Sequence, residues 1–360
     1  MRRGRARTPS LAAALIALGG AAASCPVCID KPEATLADRL LGAETVVIAR
    51  EDPAQPFRFA PVAALKGGAV AAPIPHLLDS ATRRRLAARP EDGVLLAFDS
   101  KGWRRAGYAD AAWRETAAAI LAQGPAWRDD PDARFAFFEA LLRDDDPDLR
   151  RLAVDELSRA RYGLIRGMDR PLDGGAARAA LTDLTQIPWA GFHILMLGLS
   201  DRPEDHALVR DRAASAVRSG GGRNLDAWAT AWIEIDGADA VARLAADWFE
   251  TPGRPAEDLR AVIAALSVHA REGDAALQPA ILAALHALPA RRPDVGGSVA
   301  AALGAVGDFS QAEAIERAML DAARRRAVDL DEPELMAAAL HAARARQAAK
   351  ATAHEQEAIR

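Results

Sequence analysis

Apolar residues recur with a helical period from Asp130 to about position 350. Phe135, Phe138, Leu141 and Leu142 line a first predicted helix, and a turn at 144–148 separates it from a second helix over 147–160. The pairs predicted after it are 174–185 with 188–199, 203–218 with 224–235, 238–250 with 255–271, 275–288 with 294–306, and 311–326 with 332–348. First helices therefore recur about every 35 residues, a period typical of helical repeats that bury their apolar faces by stacking.

The pattern upstream of this array is shorter and typical of strands. Val46-Val47-Ile48 and the run 94–98 are continuous apolar stretches, while Phe57 and Phe59 alternate with polar neighbours. Between them, 77–88 predicts a short helix with Asp79 or Ser80 as its N-cap. Residues 25–115 are therefore predicted to form a small β-rich module.

Several segments of this module resemble the netrin-like (TIMP-type) family. They are a start with two cysteines, the helix 36–40, and the stretches GAETVVIAR, FRFAPVAALKG and DGVLLAFD. The resemblance implies an OB-like β-barrel. In the metalloprotease inhibitors of that family the N-terminal cysteine chelates zinc. Cys25 alone could match it, and the family's other cysteines are missing, so that activity is not carried over.

The stretch DPDLRRLAVDEL resembles a HEAT repeat, in which a turn Asp-Pro and a nearby Arg recur. With the module before it, the chain resembles bacterial secreted HEAT-like proteins that carry a short netrin-like N-terminal module. The resemblance implies a mainly α fold, a HEAT-like α-solenoid of about six helix pairs preceded by the β-rich module. The array is placed at 116–350 and a polar C-terminal tail at 351–360.

The first 24 residues have the three parts of a signal peptide. Residues 2–7 are basic, 11–23 are apolar, and Ala21-Ala22-Ala23-Ser24 offers a small-residue cleavage site. An apolar run of about 13 residues is too short for a bilayer core, which requires roughly 20. We therefore predict export to the periplasm or the medium.

The only two cysteines, Cys25 and Cys28, follow this segment directly. They allow a short disulfide, lipid modification of Cys25, or a redox or metal site, and the first two exclude each other. Ile29 in place of histidine excludes covalent haem attachment. Two thiolates also leave a zinc site two ligands short. The predicted site is a disulfide, with no metal.

Charge narrows the choice of partners. The formal net charge is −4. Without the arginines at positions 2, 3, 5 and 7, 42 basic residues face 50 acidic ones, so the charge becomes −8. An acidic body without a basic stripe is unsuited to nucleic acid, and a membrane would be contacted only through a lipid on Cys25.

No motif for catalysis or for a cofactor is present. His193 lies inside an apolar helix, where a buried neutral histidine is expected, and the glycines at 220–222 lack the flanking residues of a phosphate-binding loop. Trp228, Trp232 and Trp248 are possible partner-binding residues, since aromatic side chains are favoured interface anchors.

The predicted function is therefore an extracytoplasmic, non-enzymatic protein-interaction scaffold without cofactors. The alternative is an envelope-associated redox or metal-handling protein that uses Cys25 and Cys28. The two hypotheses differ in whether the array or the cysteine pair carries the activity.

Overall fold

The computed structural model describes residues 34–68, 73–169, 172–325 and 330–359. It is mainly helical, at 65% helix, with a small four-stranded antiparallel sheet near the N-terminus. The prediction of a mainly α chain preceded by a small β-rich part is thereby confirmed. The predicted signal peptide, Cys25 and Cys28 lie outside the described residues.

The N-terminal region alternates short helices with strands. Its elements are α1 (Leu36–Gly42), β1 (Thr45–Asp52), β2 (Gln55–Lys66), α2 (Ser80–Ala88), β3 (Gly93–Asp99), β4 (Gly102–Ala109) and α3 (Ala111–Gln123). Asp79 caps α2 by accepting a hydrogen bond from the Thr82 backbone N–H at 2.8 Å, as the sequence predicts.

The strand order is β2-β1-β3-β4, so β1 and β3 are the central strands. Ile48 of β1 lies opposite Leu95 of β3, and Val47 lies opposite Leu96. All four side chains are buried, although neighbours along a strand point to opposite faces. The sheet is therefore covered on both faces, which explains why these strands are continuous apolar runs.

The two faces belong to different cores. Ile48 and Leu95 pack in the large core that includes α1, α3 and the helices that follow. Val47 and Leu96 pack in a separate smaller core with Leu86 of α2. We call these the near face and the far face of the sheet.

The remaining helices form the array. They are α4 (Pro131–Leu141), α5 (Pro147–Leu157), α6 (Tyr162–Arg166), α7 (Gly174–Ala180), α8 (Ala190–Gly198), α9 (Pro203–Ser219), α10 (Leu225–Asp236), α11 (Ala238–Leu244), α12 (Ala256–Glu272), α13 (Gln278–Ala287), α14 (Gly296–Ala305), α15 (Ala312–Arg325) and α16 (Glu332–Ile359). Helix α11 continues into a π-helical turn at Ala245–Phe249, and α16 extends through most of the predicted polar tail.

Five helices of the array pack in a row that follows the chain. Helix α8 packs on α10, α10 on α12, α12 on α14, and α14 on α16. Each also contacts the helical segment that precedes it in sequence. These five correspond to five of the six helices predicted as second members of their pairs, all except α5, and we call them the second-helix row.

Glycines allow close approach at two crossings in this row. A Cβ atom on Gly198 of α8 would lie 2.8 Å from the Cα of Ala231 in α10. A Cβ on Gly297 of α14 would collide with the backbone of Glu334 in α16. At both points one helix therefore rests on the backbone of the next.

An ion cluster joins α1 to the array. Arg134 of α4 donates to Asp38 at 2.8 Å and to Glu156 of α5 at 2.6 Å. Burial raises the pKa of Glu156, although the Arg134 cation opposes the shift. Burial would also raise the pKa of Asp38, but its bonds to Arg134 and Thr35 outweigh burial and lower it. The cluster thus fixes the near side of the sheet region to the start of the array.

Candidate functional site

A cavity lies among α7, α8, α9 and α10. Its volume is about 560 Å³, within the range of ligand sites. Its polar lining includes Arg178, Thr182, Asp183, Arg212, Ser215, Ser219, Arg223 and Asn224, and its apolar lining includes Leu181, Ile187, Ile194, Leu208 and Trp228. We call it the arginine cavity.

The loop between α9 and α10 forms one wall of this cavity. Gly220 adopts a left-handed conformation with φ of 73°, and the Gly221 N–H donates to the Ala216 carbonyl at 2.9 Å. Gly221 has φ of 132° and leaves no space for a Cβ beside Asp258. Helix α9 thus ends in a defined glycine turn, which holds Arg223 and Asn224 at the cavity.

The cations of the cavity differ in how they are paired. Arg178 forms an ion pair with Asp205, whose side chain is fully buried and also accepts a bond from Ser200. Within the described chain, Arg212 and Arg223 have no carboxylate partner, and both side chains are exposed. Two guanidinium groups are therefore available to an anion.

The one acidic residue of the lining is already engaged. Asp183 accepts bonds from the backbone N–H and the hydroxyl of Thr185, both at 2.8 Å. These two bonds lower the pKa of Asp183. Its carboxylate caps the 3-10 turn Leu184–Trp189 and forms no ion pair with the cavity's arginines.

The structure separates the three tryptophans predicted as partner-binding. Trp248 is 1% exposed, and Trp232 is 5% exposed with its indole N–H bonded to Asp236 at 2.8 Å. Both belong to the hydrophobic core. Trp228 is half-buried and lines the arginine cavity, a space that a ligand can enter.

A second cavity of about 470 Å³ adjoins the first, and we call it the acidic cavity. Both are lined by Ser219, Gly221, Gly222 and Asn224, so the glycine turn is their common border. Its other polar lining residues are Asp226, Glu257 and Asp258. Burial and the neighbouring Glu257 raise the pKa of Asp258. The two cavities thus have opposite charge.

Charged residues elsewhere in the chain, on α2 and in the turn before α5, have structural partners. Arg83 of α2 bonds Glu51 at 2.8 Å, and the Arg85 guanidinium lies 3.4 Å from the centre of the Tyr108 ring. In the acidic run 144–148, Asp146 accepts from the Asp148 N–H at 2.8 Å and caps α5. Across the described ranges, no three His, Cys, Asp or Glu side chains converge to hold a metal.

Three histidines are buried in the array. The ring nitrogens of His193 have no hydrogen-bond partner, and burial lowers its pKa to about 4. His269 lies 2.9 Å from the Thr230 carbonyl oxygen through Nε2, and burial lowers its pKa too. Burial likewise lowers the pKa of His341. All three are core side chains of the array.

Little in the sequence predicts this site. Arg212 lies on α9 and Arg223 lies in the loop before α10, so no helical period links them. The glycine turn between the two helices brings both residues to one cavity. Their position on either side of the three glycines is the one signal that could have linked them. None of the described helices combines the length and apolarity needed to cross a membrane.

Comparisons with known proteins find no match. No family model fits the sequence, no curated protein is similar to it, and no solved structure matches the fold. The function is therefore inferred from the residues of this chain alone.

Proposed function

We propose that this chain is a non-enzymatic protein-interaction scaffold that works outside the cytoplasm. The observation that carries the proposal is the second-helix row, in which α8, α10, α12, α14 and α16 pack one on the next. Such serial packing favours a HEAT-like α-solenoid, a class of fold whose extended surfaces bind macromolecules.

In this proposal the sheet region orients the array. The near face of the sheet shares its core with the helices, and Arg134 bonds Asp38 of α1 and Glu156 of α5. These contacts support a rigid attachment. We further propose that the sheet is part of a netrin-like, OB-type barrel, on the strength of its antiparallel strands and the sequence resemblance.

Site-specific photo-crosslinking in the native host tests the scaffold hypothesis. A photoreactive amino acid is placed at Ile187 beside the arginine cavity, at Leu340 on α16, and at Val62 on β2 as a control. All three side chains are 45–57% exposed, so the comparison is matched for accessibility. We expect the same protein partner to be crosslinked reproducibly from an array position and not from position 62. Absence of any reproducible partner from both array positions would contradict the proposal.

The intact mass of the mature protein separates the scaffold from the alternative based on Cys25 and Cys28. A loss of two hydrogens indicates a disulfide, and an added diacylglyceryl mass indicates a lipid anchor. Copper or zinc that co-purifies and is lost in Cys25→Ser would favour the redox or metal-handling function instead.

A further inference from the structure

We propose that the arginine cavity binds an extended segment of a partner protein that carries a carboxylate beside a large apolar side chain. This inference rests on the proposed scaffold function and names the chemistry of the partner. Three features of the cavity lead to it: unpaired cations, an apolar wall, and the charge of the adjoining cavity.

The unpaired cations favour a carboxylate. Arg178 is neutralised by the buried Asp205, and Asp183 forms no ion pair with Arg212 or Arg223. Two unpaired arginines against one carboxylate leave the lining with a net positive charge. A guanidinium group binds a carboxylate through two parallel hydrogen bonds, which gives strength and orientation. An acidic side chain or a C-terminal carboxylate supplies this group.

The apolar wall favours a large side chain next to that carboxylate. Trp228 and Leu208 are half-buried in the lining, and Ile187 at the rim is 45% exposed. Leu184, on the same 3-10 turn as Ile187, is 81% exposed. Apolar surface left open beside a cavity is typical of a binding site, because a bound apolar group removes it from water.

The acidic cavity decides between an extended peptide and a polyanion. A nucleic-acid strand that entered between Arg212 and Arg223 would place its next phosphates beside Glu257 and Asp258 across the shared glycine turn. The negative charges of these phosphates and of the two carboxylates would repel each other. A polypeptide with an acidic residue followed by a neutral or basic one meets favourable charge in both cavities, so a peptide is the occupant that the lining fits.

Fluorescence anisotropy with labelled peptides and the full mature chain tests this inference. The probe is a seven-residue peptide with an aspartate, an adjacent leucine and, three residues later, a lysine, in a glycine background. Control peptides replace the aspartate by asparagine, the leucine by alanine, or the lysine by glutamate. We expect the probe to bind and each control to bind more weakly, with the asparagine peptide weakest.

Protein variants locate the site. Arg212→Gln and Arg223→Gln should each weaken probe binding about tenfold, the usual effect of losing one charge-assisted bond. The matched control is Arg84→Gln, which removes the same charge from an exposed helix position on α2. It should leave binding unchanged, and circular dichroism should show that all three variants fold as the wild type does.

Two results would overturn the inference: equal binding of the aspartate and asparagine peptides, or unchanged probe binding in the Arg212→Gln/Arg223→Gln double variant. Failure here is distinguishable from failure of the scaffold hypothesis. If position 340 still crosslinks a partner while the probe does not bind, the scaffold hypothesis stands and the interface lies elsewhere on the array.

Discussion

The two faces of the sheet differ in what they are attached to. The near face, with Ile48 and Leu95, shares one core with the helical array, whereas the far face, with Val47 and Leu96, closes on α2 in a core of its own. The two cores are not formed by separate segments of the chain, because successive residues of β1 and β3 pack alternately in one core and in the other. The near face therefore packs as part of the array, and the division between α and β regions is not the division between cores.

The largest expected effect comes from the neighbours Leu95 and Leu96, which are both at most 1% exposed and face opposite sides of one strand. Leu95→Ala and Leu96→Ala should each lower the free energy of unfolding by about 4 kcal/mol, because each leaves a cavity in a packed core. Hydrogen exchange should separate them. Leu95→Ala is expected to speed exchange in α1 and α3, and Leu96→Ala in α2.

The same variants test whether the two cores unfold independently. If both speed exchange over the same helices, the two cores open together and the far face is not an independent unit. Urea denaturation gives the free energies, and the pattern of exchange gives the location.

A smaller effect is expected at the joint between the regions. Arg134→Leu should cost about 3 kcal/mol, because it leaves the buried Glu156 without its cation. Since burial raises the pKa of Glu156, its protonated form is favoured in the folded state, and lowering the pH from 7 to 5 should restore part of the loss.

Two controls accompany this variant in urea denaturation. The double variant Arg134→Leu/Glu156→Leu should recover most of the stability, since the one carboxylate left without a cation, Asp38, is 40% exposed to water. Arg151→Leu breaks the exposed pair with Asp148 and should cost less than about 1 kcal/mol. Equal losses for Arg134→Leu and Arg151→Leu would show that the cluster does not fasten the two regions.

The smallest expected effect is a loss of stability at low pH caused by His193, a buried residue of the array. His193 has a folded-state pKa of about 4 against an ordinary value of 6.5, so the unfolded chain takes up its proton first as the pH falls. This group should therefore remove about 2 kcal/mol of stability between pH 7 and pH 5. His193→Leu should abolish that loss, as measured by thermal unfolding at the two pH values. An identical loss in wild type and variant would exclude His193 as its source.

The helices could be predicted from the sequence more accurately than the edge strand or the exposure of individual side chains. Helices α9 and α10 lie within a residue or two of their predicted limits, because proline, glycine and apolar period mark both ends. Strand β4 was missed: it is an edge strand, and it mixes the buried Trp103 with exposed arginines, so it has no continuous apolar run.

The candidate site was only partly predictable from the sequence. Trp228 and Trp232 are four residues apart on α10 and give the same helical signal. Their exposure differs because the helices packed around α10 cover Trp232, while Trp228 lies near the glycine turn that begins the helix. Such differences depend on how neighbouring helices pack, which no local pattern encodes.

The glycine crossings have a mechanical consequence. At Gly198 against Ala231, and at Gly297 against Glu334, one helix rests on the main chain of the next without an intervening side chain. A long side chain can yield to load by changing rotamer, but a backbone in van der Waals contact cannot shorten further. Compression along the row would therefore meet contact between main chains at these two points, where no side chain can rearrange to relieve it.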